Sequence, residues 1–296
     1  MLADLDLLLI SVFCTVDDLL PKRQANARRS LTDAEVVTLA VAQAIMGIPS
    51  DARFIKTAVK RLGHLFPTLT KRSGFHKRRD RLSDTIEALI AQFASHSPGW
   101  QDDLLLVDST PVECARSRET VKRAGASSLG GAISDAADYG YCASHSRYFW
   151  GLRLHTLMAP DGTPRAMALT SPKASERDVC LQLLARVNRT GPLTVIADKG
   201  YAGRDFESQA AQLGVLIARP RRKDEPGRGL HLAPIRQRIE SIYWTAKDIL
   251  TLKRHGARTL RGLRARIASR FLALAAAVTL NHQLGRPPRA LVDYVA

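Results

Sequence analysis

Two apolar runs in this sequence each end on an aspartate. Leu104-Leu105-Leu106-Val107 leads into Asp108-Ser109-Thr110, and Leu193-Thr194-Val195-Ile196-Ala197 leads into Asp198-Lys199-Gly200-Tyr201. Such runs read as strands buried on both faces of a parallel or mixed sheet. A carboxylate placed where the strand runs out stands at the carboxyl edge of the sheet, where open α/β folds gather their chemistry. A third acid, Glu240, falls on a predicted helix from about Pro234 to Leu252. Arg236, Glu240, Tyr243 and Lys247 are spaced by four, three and four, so one helical face carries an acid, two cations and an aromatic ring. Ile239, Ile242 and Ala246 supply an apolar stripe elsewhere on that helix.

Taken singly, each acid has an ordinary alternative: a cap or turn for the two aspartates, a solvated surface for Glu240. Taken together, three carboxylates suit Mg²⁺, which prefers oxygen ligands and keeps several waters. Two such ions about 3.5–4 Å apart activate an attacking oxygen and stabilise a leaving one in an in-line phosphoryl displacement. Asp108 is the candidate bridge between two ions, with Asp198 completing one set and Glu240 the other. Arg236 and Lys247 would hold the scissile or flanking phosphate. Mn²⁺ would be tolerated in the same site. The histidines are scattered, and none forms a cluster with metal-ligand spacing.

The substrate class follows from charge. The chain has 296 residues, is 45% hydrophobic and carries a net charge of +16. It can build a core, and its basicity points to a polyanionic partner, with nucleic acid first. Lys71 to Arg79 places five Lys/Arg around Phe75, with Arg78 and Arg79 as candidate DNA contacts. Lys199, Arg221 and Arg222 are further candidates, and Lys253 to Arg270 holds seven Lys/Arg and no acid. Four widely spaced cysteines form no C-x-x-C pair, which argues against a structural zinc site. Asp4 and Asp6 do not fit the basic start of a signal peptide, and no apolar run approaches the ~20 residues needed to span a bilayer. A cytoplasmic, nucleoid-associated protein without a membrane partner is expected.

The elements that must position these residues can be taken in order. Residues 1–98 read as an all-helical DNA-binding region. Thr32-Asp33-Ala34-Glu35 forms a capping box ahead of an apolar helix that ends near Gly47. A polar stretch from Arg116 to Ser146, with a glycine-rich piece at 125–131, reads as a mobile loop and lacks the ending of a phosphate cradle. Tyr148 to Thr170 reads as a hairpin turning at Ala159-Pro160-Asp161-Gly162-Thr163. The order strand, hairpin, helix, strand, helix, strand, helix over 99–252 matches an α/β ribonuclease-H-like mixed sheet flanked by helices. Residues 253–296 read as a basic C-terminal helix packing on that core. Pattern alone thus reaches metal-dependent phosphoryl transfer on nucleic acid.

Four pieces resemble DDE transposases of bacterial insertion sequences: Val107-Asp108-Ser109-Thr110-Pro111-Val112, Trp150-Gly151-Leu152-Arg153-Leu154-His155, Ala197-Asp198-Lys199-Gly200-Tyr201, and the helix with Arg236, Glu240 and Lys247. The last is similar to the family's tyrosine, arginine, glutamate, lysine signature, with Ala233 where the tyrosine would stand. The resemblance implies strand cleavage at terminal inverted repeats of double-stranded DNA, then strand transfer into target DNA at one metal site. It also implies at least a dimer, because two ends must be joined. A nuclease of the same fold without strand transfer, and a catalytically silent DNA-binding derivative, share the same residues.

Overall fold

The computed structural model describes residues 4–22, 31–69, 71–115, 133–142, 146–189, 191–222, 225 and 232–295, the side chains of Ala233 and Arg236 excepted. The chain forms two compact units, one made of residues 94–244 and the other of residues 1–93 with 245–296.

The first unit is built on a mixed sheet. Its strands are β1 (Leu104–Ala115), β2 (Asp138–Cys142), β3 (Arg147–Met158), β4 (Pro164–Thr170), β5 (Leu193–Ile196) and β6 (Val215–Ala218). The order is β2-β3-β1-β5-β6, with β4 also on β3. Residues 147–151 of β3 pair with β2 and residues 153–158 with β4, so the two share one edge. β1 is antiparallel to β3 and parallel to β5, and β5 is parallel to β6. An antiparallel trio continued by two parallel strands is the ribonuclease-H-like arrangement expected from the order of elements. The parallel crossovers run through α6 (Glu176–Leu184) and α7 (Arg204–Gln212), and α8 (Ala233–Trp244) follows β6. One face of the sheet carries Leu105, Val107, Val195 and Ala197 into a core with Val179, Leu183, Phe206 and Ala210 of α6 and α7.

Two expectations are corrected in this unit. β1 does not run out at Asp108 but continues to Ala115, because β3 supplies antiparallel partners well beyond the apolar run. The stretch read as one loop also contains β2. Its alternation is carried by exposed Tyr139 and Tyr141 rather than by buried apolar side chains, so the pattern does not look like a strand. The glycine-rich piece at 125–131 lies outside the described residues.

The other unit is helical: α1 (Leu5–Leu19), α2 (Asp33–Ile45), α3 (Asp51–Arg61), α4 (Arg72–Arg81), α5 (Ser83–Ala94, nearly all of it) and α9 (Leu260–Gln283). The capping box at Thr32 and Glu35 is formed. α9 packs with α1, α2 and α4, and is buried on almost every side from Gly262 to Asn281. A helix buried on nearly every side belongs inside a bundle, which is why residues 260–283 group with the N-terminal helices.

The basic stretch around Phe75 forms α4. Arg79 lies one turn after Phe75, so both fall on the same buried face. Arg79 is 1% exposed, stacks over the Phe75 ring and donates to Gln43 and to both carboxylate oxygens of Asp51. It is therefore removed from the DNA contacts. Arg78 donates to the Leu31 carbonyl and to Asp33. Arg266 also binds Asp51, at 2.7 Å.

With Arg79 donating and Arg79 and Arg266 beside it, the Asp51 carboxyl is held down to about 2, against the effect of its burial. A depressed carboxyl contributes stability that is fully present above its unfolded value of 3.8 and lost as pH falls through 2. Asp51→Asn leaves two buried guanidinium groups without their anion and is expected to cost about 3–5 kcal/mol in urea unfolding at pH 7. Its unfolding free energy should also vary less between pH 4 and pH 2 than that of the unaltered protein.

Candidate active site

The register between β1 and β5 decides the geometry. Their last parallel pair is Leu106 with Ile196. Asp108 lies two residues beyond Leu106, and Asp198 two beyond Ile196. The chain stays extended through Asp198, and Ala197 still donates to the Ala218 carbonyl. Side chains alternate along a strand and neighbouring strands lie about 4.8 Å apart. The two aspartates therefore share one face at the same level of adjacent strands, opposite the face covered by α6 and α7. Asp108 also accepts from the Ser109 amide at 2.7 Å, and Asp198 from the Gly200 amide.

α8 lies on this same face. The buried Tyr243 hydroxyl donates to the Asp108 carbonyl at 2.8 Å and meets Thr156 Oγ1 at 2.8 Å. Thr156 is the β3 residue paired with Asp108. Burial and the nearby Asp108 charge push the Tyr243 phenol well above its ordinary value, so it stays neutral and donating. Glu240 is three residues before Tyr243, on the same side of the helix. Ile239 and Ile242 are buried beside it and Glu240 itself is exposed.

A family model described as the transposase DDE domain matches residues 99–276, more than half of the chain. The chain belongs to the DDE transposase family. It is also similar to the protein in a crystal structure of a pre-cleavage Mos1 transpososome, at 11% identity over 84% of this chain and 80% of that one, with a TM-score of 0.22. A likeness that distant carries no weight, and the fold rests on the strand order and register above. No curated protein matches the sequence.

The donor chemistry of this DDE domain fits a hard divalent cation as far as the aspartate pair: two carboxylates at one level of the sheet, with no sulfur or imidazole beside them in the register. Glu240 does not close the set. Among the described residues, no group of three or more His, Cys, Asp or Glu stands close enough to hold a metal ion. His155 is no substitute. It is buried, its Nε2 lies 3.0 Å from Thr170 Oγ1, and burial holds its imidazole down at about 4.

The candidate phosphate-binding residues of the DDE domain are placed unequally. Lys199 and Arg221 are exposed. Arg222 reaches back over the exit of the Asp198 strand and donates to the carbonyls of Lys199 and Ala202. The Arg236 side chain lies outside the described residues, as do Lys223, Arg228 and His231. Lys247 falls in a π-helical turn, Thr245–Ile249, marked by a bond from the Leu250 amide to the Thr245 carbonyl. The 3.6-residue period used to align Lys247 with Glu240 therefore stops at Trp244, and Lys247 belongs to the helical unit.

Three residues next to the site had no assigned role in the sequence. Arg153 pairs with Glu176 and donates to Ser109 Oγ at 3.2 Å and to the Tyr141 carbonyl at 3.1 Å. Ser109 Oγ donates to Glu176 at 3.0 Å. This network grips the residue that follows Asp108, from the face opposite the aspartates. Glu176 looked only like the first turn of a helix, and nothing local distinguishes it.

Tyr243→Phe removes a hydroxyl that ties α8 to the Asp108 backbone and to Thr156. It is expected to cost about 1–3 kcal/mol in urea unfolding, because buried partners lose their bond without gaining water.

Proposed function

We propose that this protein is a transposase that cleaves and joins DNA strands at the ends of an insertion sequence, with Asp108, Asp198 and Glu240 as its metal-binding carboxylates. The observation that carries the reading is that Asp108 and Asp198 each lie two residues beyond the Leu106–Ile196 pair of adjacent parallel strands, within a matched DDE domain. Bound there, two Mg²⁺ ions, or Mn²⁺ in their place, would supply activation of the attacking oxygen and charge stabilisation of the leaving one.

The chain's own residues do the rest. Asp108 and Asp198 present oxygen donors from a rigid sheet, and Tyr243 holds α8 so that Glu240 is offered from the same side. Lys199, Arg221 and Arg222 lie along the chain that leaves the Asp198 strand and follows β6, where they neutralise backbone phosphates. Arg236, one helical turn before Glu240, and Lys247 serve the same end. Water attacks first and frees a 3′-hydroxyl, which then attacks target DNA. The substrates are the terminal inverted repeats and a target duplex, and the working complex is at least a dimer because two ends are joined. Among the described residues no helix is long and apolar enough to cross a membrane, which suits a protein of the bacterial nucleoid.

The test is a strand-transfer assay with purified protein, a labelled duplex carrying the element's terminal repeat, plasmid target and Mg²⁺ or Mn²⁺. Joined product is expected, and Asp108→Ala or Asp198→Ala should lower its rate about a thousandfold, equivalent to about 4 kcal/mol. Nicking without joining would make the protein a nuclease, and binding without chemistry a silent DNA-binding derivative. Arg236→Ala should weaken binding to all duplexes alike and flatten the slope of log K against log salt by about one unit. An unchanged slope would remove Arg236 from the phosphate contacts.

A further inference from the structure

The helical unit contains a cavity of about 550 Å³ where three helices begin: α3 at Ser50 and Asp51, α4 at Arg72 and Ser73, and α9 at Thr259. Ser50 and Thr259 cap their own helices through their side chains. α4 follows Lys71 without a side-chain cap; the Gly74 amide bonds the Lys71 carbonyl, which leaves the amides of Arg72 and Ser73, at exposed positions, open to solvent or a ligand.

The lining is strongly cationic. Arg72, Lys77 and Arg258 are exposed, and none of the three has a hydrogen-bond or ion-pair partner among the described residues. Arg266 also lines the cavity and is 5% exposed. Its terminal nitrogens reach the Pro49 carbonyl and Asp51, while its Nε, buried, has no partner among the described residues. Asp51 is the lone carboxylate in the lining, and it is already shared with Arg79. Four lining cations thus face one committed anion.

Next to the cavity, Arg79 and Arg270 add two more buried guanidinium groups. Burial and the neighbouring arginines push Arg266 down to about 10 and Arg270 down to about 9. Asp80, 3.6 Å from Arg79 and 3.4 Å from His76, is a second carboxylate beside this cluster, and the cations that exceed these two carboxylates are stabilised when a further anion joins them. A helix start that lacks a side-chain cap, flanked by cations, is a ready phosphate site.

We propose that this cavity is a phosphate-binding pocket that grips a backbone phosphate of duplex DNA, with Arg72, Lys77, Arg258 and the first amides of α4 as donors. The choice of DNA rests on the transposase reading and on the net charge of +16. The cavity is also many times the roughly 30 Å³ share of a water molecule, so it accepts a sugar-phosphate segment as well as a bare ion. Arg79, the apparent DNA contact in the sequence, instead builds the pocket by holding Asp51.

The test compares the full-length protein with the triple variant Arg72→Gln, Lys77→Gln, Arg258→Gln. A charge-matched control, Lys56→Gln, Lys60→Gln, Arg61→Gln, removes three exposed cations further along α3. All six side chains are exposed, and circular dichroism checks folding. Binding to a random-sequence duplex is measured by fluorescence anisotropy in EDTA between 50 and 200 mM salt, so no catalysis enters. The pocket variant is expected to bind about tenfold more weakly than the control, with a salt slope lower by about one unit. Inorganic phosphate should raise the melting temperature of the unaltered protein and not that of the pocket variant.

A pocket variant that matches the control in affinity and slope overturns the proposal. A phosphate-dependent shift without any change in DNA binding overturns the DNA assignment and makes the pocket a site for a free anion. The two readings separate cleanly. If the unaltered protein fails at strand transfer while pocket-dependent binding persists, the transposase reading falls and the pocket stands. If transfer succeeds and the pocket variant binds as the control does, the pocket alone falls.

Discussion

The register of β1 between two partners of opposite sense is the constraint on which the site depends. A slip of one residue against β5 would turn Asp108 or Asp198 to the other face of the sheet, because side chains alternate with a period of two. The slip is prevented from the covered side, where Leu105, Val107, Val195 and Ala197 are packed against α6 and α7. β3 pins β1 independently by pairing Asp108 with Thr156. The hydrophobic core thus sets the position of two carboxylates that do not belong to it.

α8 is tied to this frame by a polar contact near its C-terminal end. The Tyr243 hydroxyl is shared between the Asp108 carbonyl and Thr156, so the helix is anchored on the strand that carries the first aspartate. Just past the anchor the helical hydrogen bonds lengthen to a π turn. Such turns shift the faces that follow them, which separates Lys247 from the simple helical alignment with Glu240. On the other face, Arg153, Ser109 and Glu176 hold the chain immediately after Asp108. The backbone of the first aspartate is thus fixed from above, below and along the strand.

The helical unit follows a different logic, in which charge is buried on purpose. Asp51 gathers Arg79, Arg266 and Gln43 at the base of α3, with Arg270 beside them. Buried ion pairs contribute little net stability but are costly to break. Their value here is positional: they tie α4 and α9 to the start of α3, and the beginnings of all three helices line the cationic cavity.

Much of this was legible in the residues. The two apolar runs ending in aspartate, the hairpin turn, the capping box at Thr32 and the helix bearing Glu240 are local signals, and periodicity or turn chemistry encodes them within a few residues. The family signature is local in the same sense. Tertiary structure decided whatever depends on partners far away in the chain. β1 runs past Asp108 because β3 pairs with it. Arg79 is buried because Phe75 one turn earlier faces the bundle, although by composition the stretch looks like a solvated basic turn. Glu176 matters because Arg153 and Ser109 reach it from two strands. A residue's type and its near neighbours fix its chemistry and local shape, but burial and hydrogen-bond partners arise only when distant segments pack, and no single stretch of sequence contains them.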